Sequence, residues 1–161
     1  MRACMLFVTG LLVGVALHTV AAQSSNSPNK GLVQVNHIGM NVPNLDEAVA
    51  FYTKTMGFPE AFRVNDEKGQ ARLVYVQISK NTFIELQPGP GRPAAINHLG
   101  IHVENMAAAT AMFKARGANV GEIRASDTKA ILNNITDPNM IRIELAELPP
   151  ESMHRKAMNR W

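Results

Sequence analysis

The chain has 161 residues, the length of one domain, and a formal charge of +3 in which Lys and Arg are scattered among Asp and Glu. No basic run is interleaved with aromatics, so no nucleic-acid partner is expected. Cys4 is the only cysteine and falls in a segment expected to be removed, which excludes disulfides, cysteine–zinc sites and a cysteine nucleophile from the mature protein.

Residues 1–22 read as a secretory signal peptide. Arg2 is the only charge before Lys30, the apolar run Met5–Leu17 is broken only by Thr9, Gly10 and Gly14, and Val20-Ala21-Ala22 supplies small residues before Gln23. The run is shorter than the ~20 residues a bilayer crossing needs, so no membrane association is expected after cleavage. A secreted or periplasmic location follows. Residues 23–32 form a polar leader.

Val35–Val42 alternates as a strand and carries His37. Asn44 is the predicted cap of a helix with Glu47 at the capping-box position, apolar positions Leu45, Ala48, Val49 and Tyr52, and a stop at Gly57. Strands are predicted at 61–64 and 72–78, around the turn Asp66-Glu67-Lys68-Gly69, and then at 83–86, where Glu85 stands between Ile84 and Leu86. The joint Gln87-Pro88-Gly89-Pro90-Gly91-Arg92-Pro93 is stiff and cannot be a central strand. The same order then recurs. A strand over Ile96–Val103 carries His98, and a helix capped by Asn105 is striped by Met106, Ala109, Met112 and Phe113 and stopped by Gly117. Strands at 121–124 and 129–135, the turn Asp137-Pro138-Asn139 and a strand with Glu144 complete the copy.

The copies stand at an offset of 61 residues, and the His-to-Glu separation is 48 in one and 46 in the other. Each reads β-α-β-β-β, which predicts an α+β fold of two tandem modules, 33–87 and 96–147, joined by 88–95. The tail, 148–161, opens with Pro149-Pro150 and carries a short helical pattern that either docks or frays. Its basic spot His154-Arg155-Lys156 reads as a solvated terminus.

Strand parity gives the two copies one chemistry. His37 shares a face with Gly39 and Asn41, and Glu85 with Phe83 and Gln87; His98 shares one with Gly100 and His102, and Glu144 with Arg142. Buried carboxylates are costly unless paired or metal-bound, and two of them with two imidazoles suit one divalent ion: zinc, nickel, cobalt, manganese or iron. The expected ligands are therefore His37, Glu85, His98 and Glu144. His98 and His102 form H-x-x-x-H, but on a strand they lie about 13 Å apart, too far to share an ion. Asn41 and His102 occupy matching positions and are expected at the cavity wall, in contact with substrate. Arg72, Tyr75, Gln77, Asn133 and Arg142 are further candidates for that wall.

These residues resemble the vicinal-oxygen-chelate superfamily, which includes glyoxalase I, extradiol dioxygenases, methylmalonyl-CoA epimerase and the fosfomycin- and bleomycin-resistance proteins. The resemblance runs over 33–147 on Asn36-His37-Ile38-Gly39, Asp46–Tyr52, Met56-Gly57-Phe58, Glu85-Leu86, Asn97-His98-Leu99-Gly100, Asp137-Pro138-Asn139 and Ile143-Glu144-Leu145. It implies two βαβββ modules with metal in the cleft between them, and a ligand set closest to that of bacterial glyoxalase I. Departures accompany it. Asn41 stands where glyoxalase I has an arginine for glutathione, Gly89 where it has an asparagine, and Arg72 where the epimerase has an essential glutamate.

The implied activity is that of a metal-dependent lyase or isomerase acting through an enediolate on a small oxygenated substrate. Glu144 or Glu85 would shuttle the proton. The alternatives are an iron(II) extradiol-type dioxygenase using His37, His98 and Glu144, and a metal-containing binding or resistance protein. A homodimer is expected because the stiff joint favours exchange of modules between chains, with Trp161 as an apolar anchor. Sequence leaves open whether each site mixes chains.

Overall fold

A computed structural model describes residues 31–161, of which Leu32–Trp161 form one compact unit. The expected signal peptide and nearly all of the leader lie outside the described residues. The first module contains β1 (Leu32–Val42), α1 (Leu45–Ala50), a π-helical turn (Phe51–Thr55), β2 (Glu60–Asn65), β3 (Ala71–Ser79) and β4 (Thr82–Pro88). The second contains β5 (Ala95–Val103), α2 (Met106–Ala115), β6 (Asn119–Val120), β7 (Arg124–Ala125), β8 (Ile131–Thr136) and β9 (Arg142–Glu147), and α3 (Met153–Arg160) follows. The α+β class and the doubled βαβββ order are as predicted.

The helix starts match the predicted caps: Asn44 accepts from the Glu47 N–H at 3.2 Å and Asn105 from the Ala108 N–H at 2.8 Å. Gly57 and Gly117 end the two helical runs at positive φ, +74° and +81°. The first run differs from expectation in turning π-helical after Ala50. The Thr53 hydroxyl donates to the Val49 carbonyl at 2.7 Å, competing for a helical acceptor, and the Met56 N–H reaches back five residues to Phe51. In the second module the strand predicted over 121–124 does not form as such: residues 121–123 are not strand and are flanked by the two-residue strands β6 and β7, of which only Arg124 falls in the predicted range.

The strands make one mixed sheet in the order β2-β3-β4-β1-β5-β9-β8-β6, with β7 also on β8. β1 runs parallel to β4 and β5 parallel to β9, while β1 and β5 pair antiparallel at the seam between modules. On the outer face Leu45 packs on Val74, Val76, Ile84 and Leu86, and Met106 and Ala109 pack on Val103, Ile135 and Leu145. Ile84 and Leu86 thus face their helix as parity predicted. Their alternates, Phe83 and Glu85, face inward.

The tail docks rather than frays, and the solvated reading of His154 is corrected. Ser152 caps α3, accepting from the Arg155 N–H at 3.1 Å. His154, Ala157 and Met158 are buried; the latter two join Tyr75, Phe83, Leu132, Ala146 and Leu148 in a third core, which draws on both modules. Pro149-Pro150 stops β9 and His154, Ala157 and Met158 then recur at i, i+3, i+4, so one side of the helix is buried.

Candidate metal centre

The seam between β1 and β5 positions the centre. Its register sets His37 opposite Gly100 and Gly39 opposite His98. A Cβ built on Gly39 would overlap the His98 ring, and one on Gly100 would overlap the His37 ring. Each glycine is therefore the space that the other module's imidazole occupies. The register slips between Val35 and His37 and between Gly39 and Met40, so Asn36 and Asn97 are the extra residues of two bulges flanking the histidines.

Glu85 and Glu144 arrive from β4 and β9, the strands parallel to β1 and β5. The four residues are all buried, and one ligand atom from each lies within 4.8 Å of the others. His37 Nε2 stands 2.8 Å from His98 Nε2 and 3.3 Å from Glu85 Oε2, and Glu144 Oε1 is 3.6 Å from His37 Nε2. A tetrahedral site with bonds of ~2.1 Å separates its ligand atoms by about 3.4 Å. The donor set and its spacing fit a divalent ion, and all four donors come from one chain.

The supports differ between modules. Asn36 Oδ1 accepts from His37 Nδ1 at 3.0 Å while its amide donates to the Asn81 carbonyl, which leaves the His37 Nε2 lone pair facing inward. Arg142 Nη2 is 2.6 Å from His98 Nδ1, and a guanidinium only donates, so the His98 proton lies on Nε2, directed at His37. Coordination through both Nε2 atoms would require the His98 proton to move to Nδ1, displacing the Arg142 donor there. Glu85 is braced by the Tyr75 hydroxyl at 2.7 Å and by the Gln87 amide. Glu144 Oε2 instead accepts from Arg124 Nη2 at 3.2 Å and Arg142 Nη1 at 3.3 Å.

The two carboxyls consequently titrate apart. Burial raises Glu85, but the His98 hydrogen bond, both imidazole charges and the Tyr75 hydroxyl outweigh it and hold its pKa at about 2. For Glu144 burial prevails, aided by the Glu85 charge, and its pKa rises despite His98, Arg142 and Arg124. Burial brings His37 down to about 4.

Of the expected wall residues, Arg72, Tyr75 and Arg142 line the cavity above the ligands. Asn41 and His102 are not among its lining, because the seam bulges and α3 change what the continued strand faces reach. Asn41 accepts from Asn97, which also donates to Gln87 and accepts from Arg142, so it supports the wall one residue removed. His102 lines a different cavity with Glu147 and Arg155. Gln77 donates to the Lys80 carbonyl and Asn133 to Thr110 on α2, both away from the ligands. Lining residues not singled out from sequence include Arg124, Asp127 and His154. His154 packs edge-on to Tyr75 at 4.6 Å between ring centres and parallel to His37 at 6.1 Å. Neither ring nitrogen has a hydrogen-bond partner, and burial first, then His37, lowers its pKa to about 3.

Paired βαβββ modules with one His and one Glu from each at the seam define a glyoxalase-type fold whose buried cluster can hold a metal. The sequence matches the Glyoxalase/Bleomycin resistance protein/Dioxygenase superfamily over residues 34–145, and the chain belongs to that superfamily. It is 28% identical over 127 residues to a probable lactoylglutathione lyase of Vibrio parahaemolyticus, covering 71% of this chain and 90% of the relative. Among solved structures it resembles methylmalonyl-CoA epimerase from Mycobacterium tuberculosis, with a TM-score of 0.64 and 20% identity over 73% of this chain and 89% of that one. A variant of the Streptomyces coelicolor epimerase in complex with 2-nitronate-propionyl-CoA gives 0.61 and 21% over 72% and 97%. At these identities the structural likeness concerns the fold.

Proposed function

We propose that the protein is a divalent-metal-dependent lyase or isomerase of the glyoxalase I kind, moving a proton between adjacent carbons of a small oxygenated compound. The observation that carries this reading is the symmetrical pair of His–Glu ligand sets, His37 with Glu85 and His98 with Glu144, whose two carboxylates line one cavity. The ion, when bound, supplies Lewis-acid stabilisation of charge on vicinal substrate oxygens. Glu144 is the proton carrier. Its raised pKa suits a base better than the carboxylate of Glu85, which Tyr75 and Gln87 hold as a fixed anion. Arg72 at the rim is a substrate contact, and Asn41 acts only through Asn97.

The relative's lactoylglutathione lyase activity offers the first substrate to try. Turnover of the methylglyoxal–glutathione adduct is expected to be weak, because Asn41 and Gly89 replace the glutathione contacts. Deuterium exchange from solvent into a panel of α-hydroxycarbonyl compounds, followed by NMR, tests the proton step directly. Glu144→Gln is expected to retain most of the metal and lower exchange at least about 100-fold, the contribution usual for a general base. Exchange undiminished in Glu144→Gln would reject this reading. Oxygen uptake on catechols by iron-loaded protein would favour the dioxygenase instead.

Export and dimerisation belong to the same proposal. The basis is the N-terminal apolar run and the stiff joint. Native mass spectrometry of exported protein is expected to show a chain starting near Gln23 and twice its monomer mass. A monomer, or a chain retaining Met1, would reject one part each. Because one chain supplies all four ligands, a dimer is not required to complete the site.

A further inference from the structure

The cavity above the ligands measures about 310 Å³, at the small end of ligand pockets. Its wall carries three arginines, Arg72, Arg124 and Arg142, against three carboxylates, Glu85, Asp127 and Glu144. These formal charges cancel, so a divalent ion on the centre leaves the cavity with a net positive charge. Arg72 of the first module is ion-paired with Asp127 of the second, across the mouth. The other two converge on a single atom, Glu144 Oε2, from the separate strands β7 and β9.

That convergence exceeds what the carboxylate needs. A guanidinium has five N–H donors in a planar fork. Arg142 also engages Asn97 and His98, but Arg124 has only its contact to Glu144 among the described residues. Its side chain is 43% exposed at the cavity wall, and its remaining donors can reach an incoming group. Two guanidinium groups beside the metal centre form a receptor for an oxyanion one short carbon chain away from the vicinal oxygens.

Resting on the metal-centre reading above, we propose that the substrate is a small carboxylic acid, hydroxylated or oxidised on adjacent carbons, whose carboxylate is held by Arg124 with Arg142. The cavity volume sets the size, the arginines set the charge, and the ligands at the floor set the place of the reacting oxygens. An ester or amide of the same acid offers Arg124 and Arg142 no anion beyond Glu144 and binds more weakly.

Cobalt-loaded protein tests this with glycerate and its neutral isostere glyceramide, which share vicinal oxygens and differ in charge. Cobalt uptake, read from its visible absorption before any probe is added, reports on the metal-centre reading alone. Glycerate is then expected to bind at least about tenfold more tightly than glyceramide. At matched cobalt occupancy, Arg124→Gln should lower glycerate affinity about tenfold relative to glyceramide, and Arg124→Lys should restore part of that difference. Equal affinity for the two probes, or glycerate binding indifferent to Arg124→Gln, would overturn the proposal. Glycerol phosphate bound more tightly than glycerate would replace the carboxylate with a phosphate and overturn the assigned class. Should no cobalt enter, calorimetry of glycerate on the ion-free protein decides: binding that depends on Arg124 supports the clamp, and its absence overturns it.

Discussion

Gly39→Ala is expected to abolish tight metal binding while leaving the strand intact. Neither Gly39 nor Gly100 has a positive φ, so alanine suits the backbone at both positions. The whole penalty comes from the added Cβ, which overlaps the His98 ring at Gly39 and the His37 ring at Gly100. The ring cannot yield cheaply. His98 is 1% exposed and wedged between His37, Glu85 and Arg142, so it must leave its ligand position. Misplacing a group by about 1 Å costs about 100-fold at a preorganised site, and overpacking a core costs about 1–3 kcal/mol. Metal affinity should therefore fall at least about 100-fold in either variant, with a moderate loss of thermal stability. Gly57→Ala is the control. A Cβ there meets nothing within 4 Å, but φ is +74°, so it should lower stability by about 1–2 kcal/mol and leave metal affinity unchanged. Calorimetric titration with zinc and thermal melts of the three variants check this. Unchanged zinc affinity in both Gly39→Ala and Gly100→Ala would refute the interlocked seam.

Metal-free protein is expected to lose stability steeply as pH falls from about 6.5. His37 and His154 have folded pKa values of about 4 and about 3, below the value of 6.5 that an unfolded histidine takes. Between these values the unfolded chain binds more protons than the folded one, so stability rises with pH and is lost on acidification. At ~1.4 kcal/mol per pKa unit, the two groups together are worth several kcal/mol, comparable with the ~5–15 kcal/mol that holds a domain folded. Glu85, held at about 2, adds a loss in the same direction below its unfolded value of 4.5. Glu144 opposes: its folded pKa is raised, so its contribution is present at low pH and fades as pH rises. His154→Leu isolates the C-terminal helix. It removes two unpartnered ring nitrogens, so stability at pH 7 should hold or rise, and the slope between pH 4 and 6.5 should fall by about one proton. Denaturant unfolding of chelator-treated protein across pH 4–8 measures both. An unchanged slope in His154→Leu would place the acid sensitivity elsewhere.

Much of the site was legible in the sequence because strand parity is a local property. Alternation alone put His37 and Glu85 on the face opposite Ile84 and Leu86, and the repeat at 61 residues put His98 and Glu144 beside them in chemical kind. The helix caps Asn44 and Asn105 and the stops Gly57 and Gly117 were equally local, and the structure uses them as expected.

What parity could not supply was anything that depends on which strands meet. The antiparallel pairing of β1 with β5 joins residues far apart in sequence, and only that register turns the two glycines into sockets for the opposite imidazoles. The same pairing gathers the four ligands within one chain, a point that the stiff proline joint left open. Its bulges at Asn36 and Asn97, together with the docked C-terminal helix, part Asn41 and His102 from the cavity that their matching positions suggested. The helix does the reverse for His154, whose basic neighbours Arg155 and Lys156 read as solvent-facing. A buried stripe of His154, Ala157 and Met158 acquires its meaning only once both modules present the apolar inner surface that covers it. Periodicity assigns a residue to a face, but what that face touches is decided by strand order and docking, which are set by burial over the whole chain.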